Sequence, residues 1–169
     1  FAHRQFCPGS GQGRREVSKM SFLQLSDKTY LVVGFANKKS IAWSVAQLPE
    51  EEGARVIYCV RNQKRKEELE GLIGSGIILT CDFEDVSQVE QLGRSIKEQT
   101  QDPLSGVLHS IAFANYADGL KPFHETDRAD FLQATQISSF SLIELARACK
   151  ASLARDASFV TIGISSTEV

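Results

Sequence analysis

From Lys28 onward the chain alternates short runs of β-branched and aliphatic residues with longer amphipathic stretches, and few folds accept that pattern. Apolar runs of four to six residues with no polar alternate suit strands buried on both faces of a parallel sheet, and the amphipathic stretches between them suit crossover helices. The predicted strands are Thr29 to Val33, Arg55 to Val60, Gly76 to Thr80, Gly106 to Ser110 and Ser158 to Ile164. Ser40 opens a first helix with Ile41, Ala42, Val45, Ala46 and Leu48 on its buried side. Pro49 should kink or end it, since a proline in a helix interior costs about 3 kcal/mol, and Gly53 closes the segment. A charged helix follows from about Gln63 to Leu72, and another from Val86 to about Thr100 carries Val86, Val89, Leu92 and Ile96 as one apolar stripe. A long helical stretch around Phe131 to Leu153 separates the last two strands. The fold class is therefore α/β, a Rossmann-type doubly wound parallel sheet. It reads as incomplete at the C-terminus, because Val169 follows the fifth strand closely.

Composition narrows the functional classes. With 42% hydrophobic and 24% charged residues in 169, the chain has the make-up of one globular domain, and its net charge of -2 gathers neither nucleic acid nor anionic lipid. No apolar run approaches the roughly 18 residues that cross a bilayer. A soluble protein with no nucleic-acid or membrane partner is expected. Cys59, Cys81 and Cys149 sit in apolar contexts, and the four cysteines, Cys7 included, form no CxxC pair, so buried thiols in a reducing, cytoplasmic compartment are expected rather than disulfides or metal ligands.

Residues 1–19 differ from the rest. Arg4, Arg14, Arg15 and Lys19 stand against the single acid Glu16, among Gly, Pro and Ser and without periodicity. The segment reads as an unstructured basic tail, with the folded part spanning 20–169. Translation from Met20, the only methionine, leaves the tail as upstream sequence read through; an organelle transit peptide is the alternative.

A doubly wound sheet binds ligands beyond the carboxyl ends of its strands, and Gly34, Arg61, Asp82 and Ser110 each fall at such an end. The segment Gly34 to Ala42, GFANKKSIA, lacks the second and third glycines of G-x-G-x-x-G. Gly34 still permits a tight turn, and Ser40 at a helix start offers a hydroxyl and free amides to a pyrophosphate; an ordinary turn with Ser40 as N-cap fits the same residues.

Taken together, GFANKKSIA after TYLVV, CDF at Cys81 to Phe83, HSIAFAN at His109 to Asn115 and ISSFSL at Ile137 to Leu142 resemble the bacterial enoyl-acyl-carrier-protein reductases of fatty-acid biosynthesis, a divergent branch of the short-chain dehydrogenase/reductase superfamily. The resemblance runs from Met20 to Val169. It implies an oxidoreductase of lipid metabolism that uses NADH or NADPH, acts on a thioester of acyl carrier protein and assembles as a homotetramer. It places Gly34, Ser40 and Ile41 along the pyrophosphate and its ribose, Asp82 and Phe83 around the adenine, Ser110, Ile111 and Ala112 under the nicotinamide half, and Phe113 and Ala114 in the wall of the acyl pocket. His109 packs beside the fourth strand and is not expected to act as acid or base. For Asp82, a helix N-cap before EDV is the plain alternative.

The sequence also departs from the family. Arg61 and Asn62 stand after the second strand, where an NADH site usually has an acid. A guanidinium there can pair with a 2′-phosphate, or stack on the adenine or face solvent, so the coenzyme preference stays open. The family's catalytic Tyr-x6-Lys is expected just past Val169, so the catalytic residues among these positions are none, and a second family tyrosine aligns near Ile164. None of Tyr30, Tyr58 and Tyr116 has a lysine seven residues on. The expected chain is an inactive N-terminal fragment of such a reductase. Another short-chain reductase, such as a 3-oxoacyl-carrier-protein reductase, and a non-catalytic nucleotide-binding module are the rival readings.

Overall fold

The structure, a computed structural model, describes residues 23–73, 76–117 and 119–163. The basic segment 1–19, Cys7, Met20 and the Ile164 register lie outside them. Five parallel strands, β1 (Thr29–Val33), β2 (Arg55–Val60), β3 (Ile77–Thr80), β4 (Leu104–His109) and β5 (Leu153–Thr161), form one sheet in the order β3-β2-β1-β4-β5. The chain builds outward from β1 to β3, crosses back, and resumes at β4 on the other side of β1. The strand order therefore reverses between β1 and β4, as in a Rossmann-type sheet. Right-handed crossovers in opposite directions put the helices on opposite faces. Helices α1 (Ile41–Glu51) and α2 (Gln63–Ile73) cover one face; α3 (Val86–Gln99), with α4 (Arg128–Thr135) and α5 (Ser141–Cys149) in the last crossover, belong to the other.

Alternation along β1 divides the core. Leu31 and Val33 point into a cluster with Ile57, Cys59, Val89, Leu92, Ile96, Leu145 and Cys149, while Val32 joins Phe35, Ala42, Ala46, Tyr58 and Leu69 on the other face. Each fully buried leucine or isoleucine here contributes about 1.5–3 kcal/mol. Close helix packing on the first face depends on Gly93 of α3, where a Cβ would lie 2.7 Å from the Ala148 carbonyl oxygen of α5.

Two helices differ from expectation. In α1 only Ala42 and Ala46 are buried; Ile41, Val45 and Leu48 remain about half exposed. The helix lies on the sheet through its two alanines, and Ile41 and Val45 instead border an apolar depression with Tyr30, Leu108, Val160 and Ile162. Pro49 lies inside the helix, which ends two residues later at Glu51. The end is a Schellman motif: Gly53 at φ 82° donates to Glu50 and Ala54 donates to Pro49. The long helical stretch is interrupted as well, because Gln136–Phe140 winds as a π-helix between α4 and α5. Strand β5 begins five residues before the predicted Ser158, and its register against β4 shifts after Leu104–Leu153.

Candidate functional site

Register brings the strand ends level, with Val33 beside Cys59 and His109, and Val60 beside Thr80. Beyond those ends a cleft opens, floored by Val33, Cys59, Val60 and Cys81 and walled by the loops that follow β1 to β4. Gly34, Arg61, Asp82, Phe83, Ser110, Ile111, Ala112 and Phe113 all line it.

The first turn explains the glycine. Gly34 has φ 95°, and a Cβ would sit 2.0 Å from the Ser110 carbonyl oxygen. Gly34 donates to Cys59 of β2, and Ser110 donates to Val33, which ties the loop after β4 to the end of β1 at the topological switch point. A close backbone approach of this kind gives a ligand a flat, side-chain-free floor.

Ser40 and Ile41 are not brought into the cleft. The loop from Phe35 to Ser40 carries the chain beyond it before α1 starts; Ser40 turns back to donate to the Asn37 carbonyl at 2.6 Å and accepts from the Trp43 amide at 3.3 Å. Ser40 is the N-cap of α1, and Ile41 borders the apolar depression on the α1 face.

Asp82 is not the helix cap. That role belongs to Asp85, whose carboxylate accepts from Ser87, and the hydroxyl of Ser87 holds the Asp85 carboxyl below its ordinary range. Asp82 is fixed toward the cleft: its amide donates to the Gln88 side chain, and its carboxylate accepts from the Glu84 amide and, at 3.0 Å, from Arg61. Phe83 is 5% exposed and belongs to the core as well as to the cleft wall. Arg61 donates a second hydrogen bond to Glu84 at 2.7 Å, and its guanidinium lies 5.6 Å above the Phe113 ring. Asn62 caps α2 by accepting from the Arg65 amide.

Phe113 and Ala114 part company. Ser138, presented by the π-helical turn, accepts from the Phe113 amide at 2.9 Å and donates to the Phe113 carbonyl at 3.1 Å. The pinned Phe113 ring faces Arg61 in the cleft, whereas Ala114 lines a second pocket of mixed character with Tyr116, Leu120, Lys121, Asp127 and Phe131. Ser138 is marked in the sequence only by its place in the ISSFSL motif, and Glu84 and Gln133 carry no motif at all.

His109 is fully buried at the end of β4. Ser141 uses its hydrogen on the Ile137 carbonyl at 2.6 Å, so it accepts from His109 Nε2 at 2.7 Å, and His109 Nδ1 is left to accept from Thr161 at 3.0 Å. Burial lowers its pKa. The ring is a neutral tie between β4, β5 and α5, with both nitrogens occupied. Cys59, Cys81 and Cys149 are free and buried. A hydrogen bond with Cys81, reinforced by burial, raises the Cys59 thiol, and burial raises Cys149 to about 12, so neither is a nucleophile.

A glycine floor at the switch point, a carboxylate at the end of β3 and a cation at the end of β2 together suit an adenosine-containing dinucleotide. Similarity to known proteins carries the identification further. The family model described as enoyl-(acyl carrier protein) reductase matches residues 34–169. The NADPH-dependent enoyl-[acyl-carrier-protein] reductase of Staphylococcus aureus is 37% identical over 137 residues, covering 76% of this chain and 52% of its own. The NADH-dependent enzyme of Bacillus subtilis is 35% identical over 143 residues, covering 82% and 55%. Among solved structures, the Bacillus cereus reductase with NADP+ and an indole naphthyridinone aligns with TM-score 0.74 at 32% identity, over 81% of this chain and 55% of that one. The chain thus spans about half the length of the curated relatives it matches. On the family model and these relatives together, the chain belongs to the enoyl-acyl-carrier-protein reductase family.

Proposed function

We propose that this chain supplies the coenzyme-binding part of an NAD(P)H-dependent enoyl-acyl-carrier-protein reductase acting in fatty-acid biosynthesis. The observation that carries the reading is the cleft at the β1/β4 switch point, where Gly34, Arg61, Asp82, Phe83, Ser110, Ile111 and Ala112 converge. The coenzyme, when bound, supplies a hydride for the β-carbon of a trans-2-enoyl thioester carried on acyl carrier protein. The chain's own residues bind and orient: the Asp82 carboxylate accepts from an adenine amine, the Gly34 turn lets the dinucleotide backbone approach closely, and the Ser110 to Ala112 backbone supports the nicotinamide half. Ser138 keeps the Phe113 backbone in place beside them. Ala114 and the pocket it lines with Leu120 and Phe131 stand toward the acyl chain. The relatives divide between the two coenzymes by name.

Assembly as a homotetramer fits the apolar residues exposed along α4, the π-helical turn and α5, namely Phe131, Leu132, Phe140 and Ile143. The three buried free thiols fit a reducing cytoplasm. Among the described residues no helix is long and apolar enough to cross a membrane. The test is coenzyme titration of this chain alongside an enoyl-thioester assay. Binding of NADH or NADPH without turnover is expected, because these residues contain no Tyr-x6-Lys; failure to bind either coenzyme would overturn the proposal.

A further inference from the structure

We infer that Glu84 sets the coenzyme preference toward NADH by committing Arg61 to carboxylates, an inference that rests on the coenzyme reading of the cleft. At the end of the second strand of such a sheet an acid binds ribose hydroxyls, whereas an arginine accommodates a 2′-phosphate. By sequence alone Arg61 leaves the preference open, since a guanidinium there can meet a 2′-phosphate, stack on the adenine or face solvent. In the structure its guanidinium already has partners: Nε donates to Asp82 at 3.0 Å and Nη2 to Glu84 at 2.7 Å. Arg65, the other cation lining the cleft, donates to Glu68 at 2.7 Å.

Isolated surface ion pairs are worth little, but Glu84 is not a mobile surface acid. Gln133 reaches from α4 and donates to its other oxygen at 2.6 Å, and the side chains of Glu84 and Asp82 are only 32% and 30% exposed. Four elements thus hold a chain of contacts running Gln133, Glu84, Arg61, Asp82, with the Phe113 ring beneath the guanidinium. A 2′-phosphate entering here finds the guanidinium turned toward both carboxylates, with only its remaining N–H groups to offer, and settles beside the Glu84 charge, a like-charge contact. A 2′-hydroxyl meets the opposite situation, since it donates to a carboxylate. Glu84 therefore performs, from the loop after β3, the work that an acid at the end of β2 performs elsewhere, and it acts as a repulsive specificity element. It is a specificity-determining residue and has no part in the chemical step.

The experiment is a set of NADH and NADPH dissociation constants for the wild type, Glu84→Gln, Arg61→Gln and the double variant. The wild type is expected to bind NADH more tightly. Glu84→Gln should move the ratio toward NADPH by about tenfold, the scale of one charge-assisted hydrogen bond released to the phosphate, and the shift should shrink to less than half of that in the Arg61→Gln background. The two ligands differ by one phosphate, so a general loss of fold cancels in their ratio. A wild type that prefers NADPH, an unchanged ratio in Glu84→Gln, or an equal shift without Arg61 would each overturn the inference. A wild type that binds neither coenzyme removes the coenzyme reading itself, and this inference with it.

Discussion

Replacing Gly34 by alanine is expected to be among the most damaging small substitutions in the molecule, and its cost follows from two separable effects. The backbone at φ 95° is one that an L residue adopts at a cost of roughly 1–2 kcal/mol. The added methyl would also lie 2.0 Å from the Ser110 oxygen and 2.5 Å from its carbon. Both are backbone atoms that no rotamer change moves aside. Relief requires β1 and β4 to separate where Ser110 donates to Val33 at 2.9 Å, and overpacking of this kind costs about 1–3 kcal/mol. The sum is about 2–5 kcal/mol, a large share of the roughly 5–15 kcal/mol that holds a typical domain folded. Urea unfolding measures it as a lower midpoint at unchanged slope. Gly71→Ala is the internal control: nothing lies within 4 Å of a Cβ there, and α2 should gain about 0.5–1 kcal/mol. A Gly34→Ala loss below about 1 kcal/mol would refute the argument for a sterically locked switch point.

Other consequences are as direct. His109 is held neutral by burial, so its folded pKa lies below the unfolded value of about 6.5; its stability contribution is complete above that pH and is lost as pH falls through the depressed value. His109→Gln should flatten the acid limb of a stability-against-pH curve, and an unaltered limb would count against the assignment. Ser40→Ala removes the α1 cap and should cost about 1 kcal/mol of stability, read by thermal melting; coenzyme affinity measured on the same variant shows whether Ser40 also meets the pyrophosphate. Asp82→Ala should weaken NADH by about 1–3 kcal/mol, and NADPH by less because Arg61 loses one of its two carboxylate partners; undiminished NADH affinity would remove the adenine placement. The apolar depression bordered by Ile41, Val45 and Val160 predicts concentration-dependent self-association, which Val160→Lys should suppress in light scattering.

The strands were the most legible part of the sequence. TYLVV and RVIYCV are doubly buried and stop at charged or glycine residues, so β1 and β2 match their predicted bounds. Strand β5 starts before the predicted Ser158: Leu153 to Ala157 includes the exposed Arg155 and Asp156, which hide it in the pattern, and the strand ends at Thr161, ahead of the apolar Ile162. The α1 face was misjudged because a 3.6-residue pattern shows which residues share a side, and here that side meets the sheet only through Ala42 and Ala46. The π-helical turn left no trace in QISSF, since one added residue per turn does not alter local composition. Of the cleft, Gly34, Asp82 and the residues after β4 were readable from their places at strand ends. Glu84 and Gln133 were not, because they meet across 49 positions, and such pairings appear only once the crossovers have brought α4 over the loop after β3.

Backbone amide shifts followed by nuclear magnetic resonance during an NADH titration test the central claim most directly. If the β1/β4 switch point is the coenzyme site, the largest changes fall on Gly34, Asp82, Ser110, Ile111 and Ala112 and saturate together, while Gly53 and Ala54 at the opposite ends of the strands stay still. Saturable changes centred on Val45 and Val160 with a silent cleft, or no saturable change at all, would contradict it.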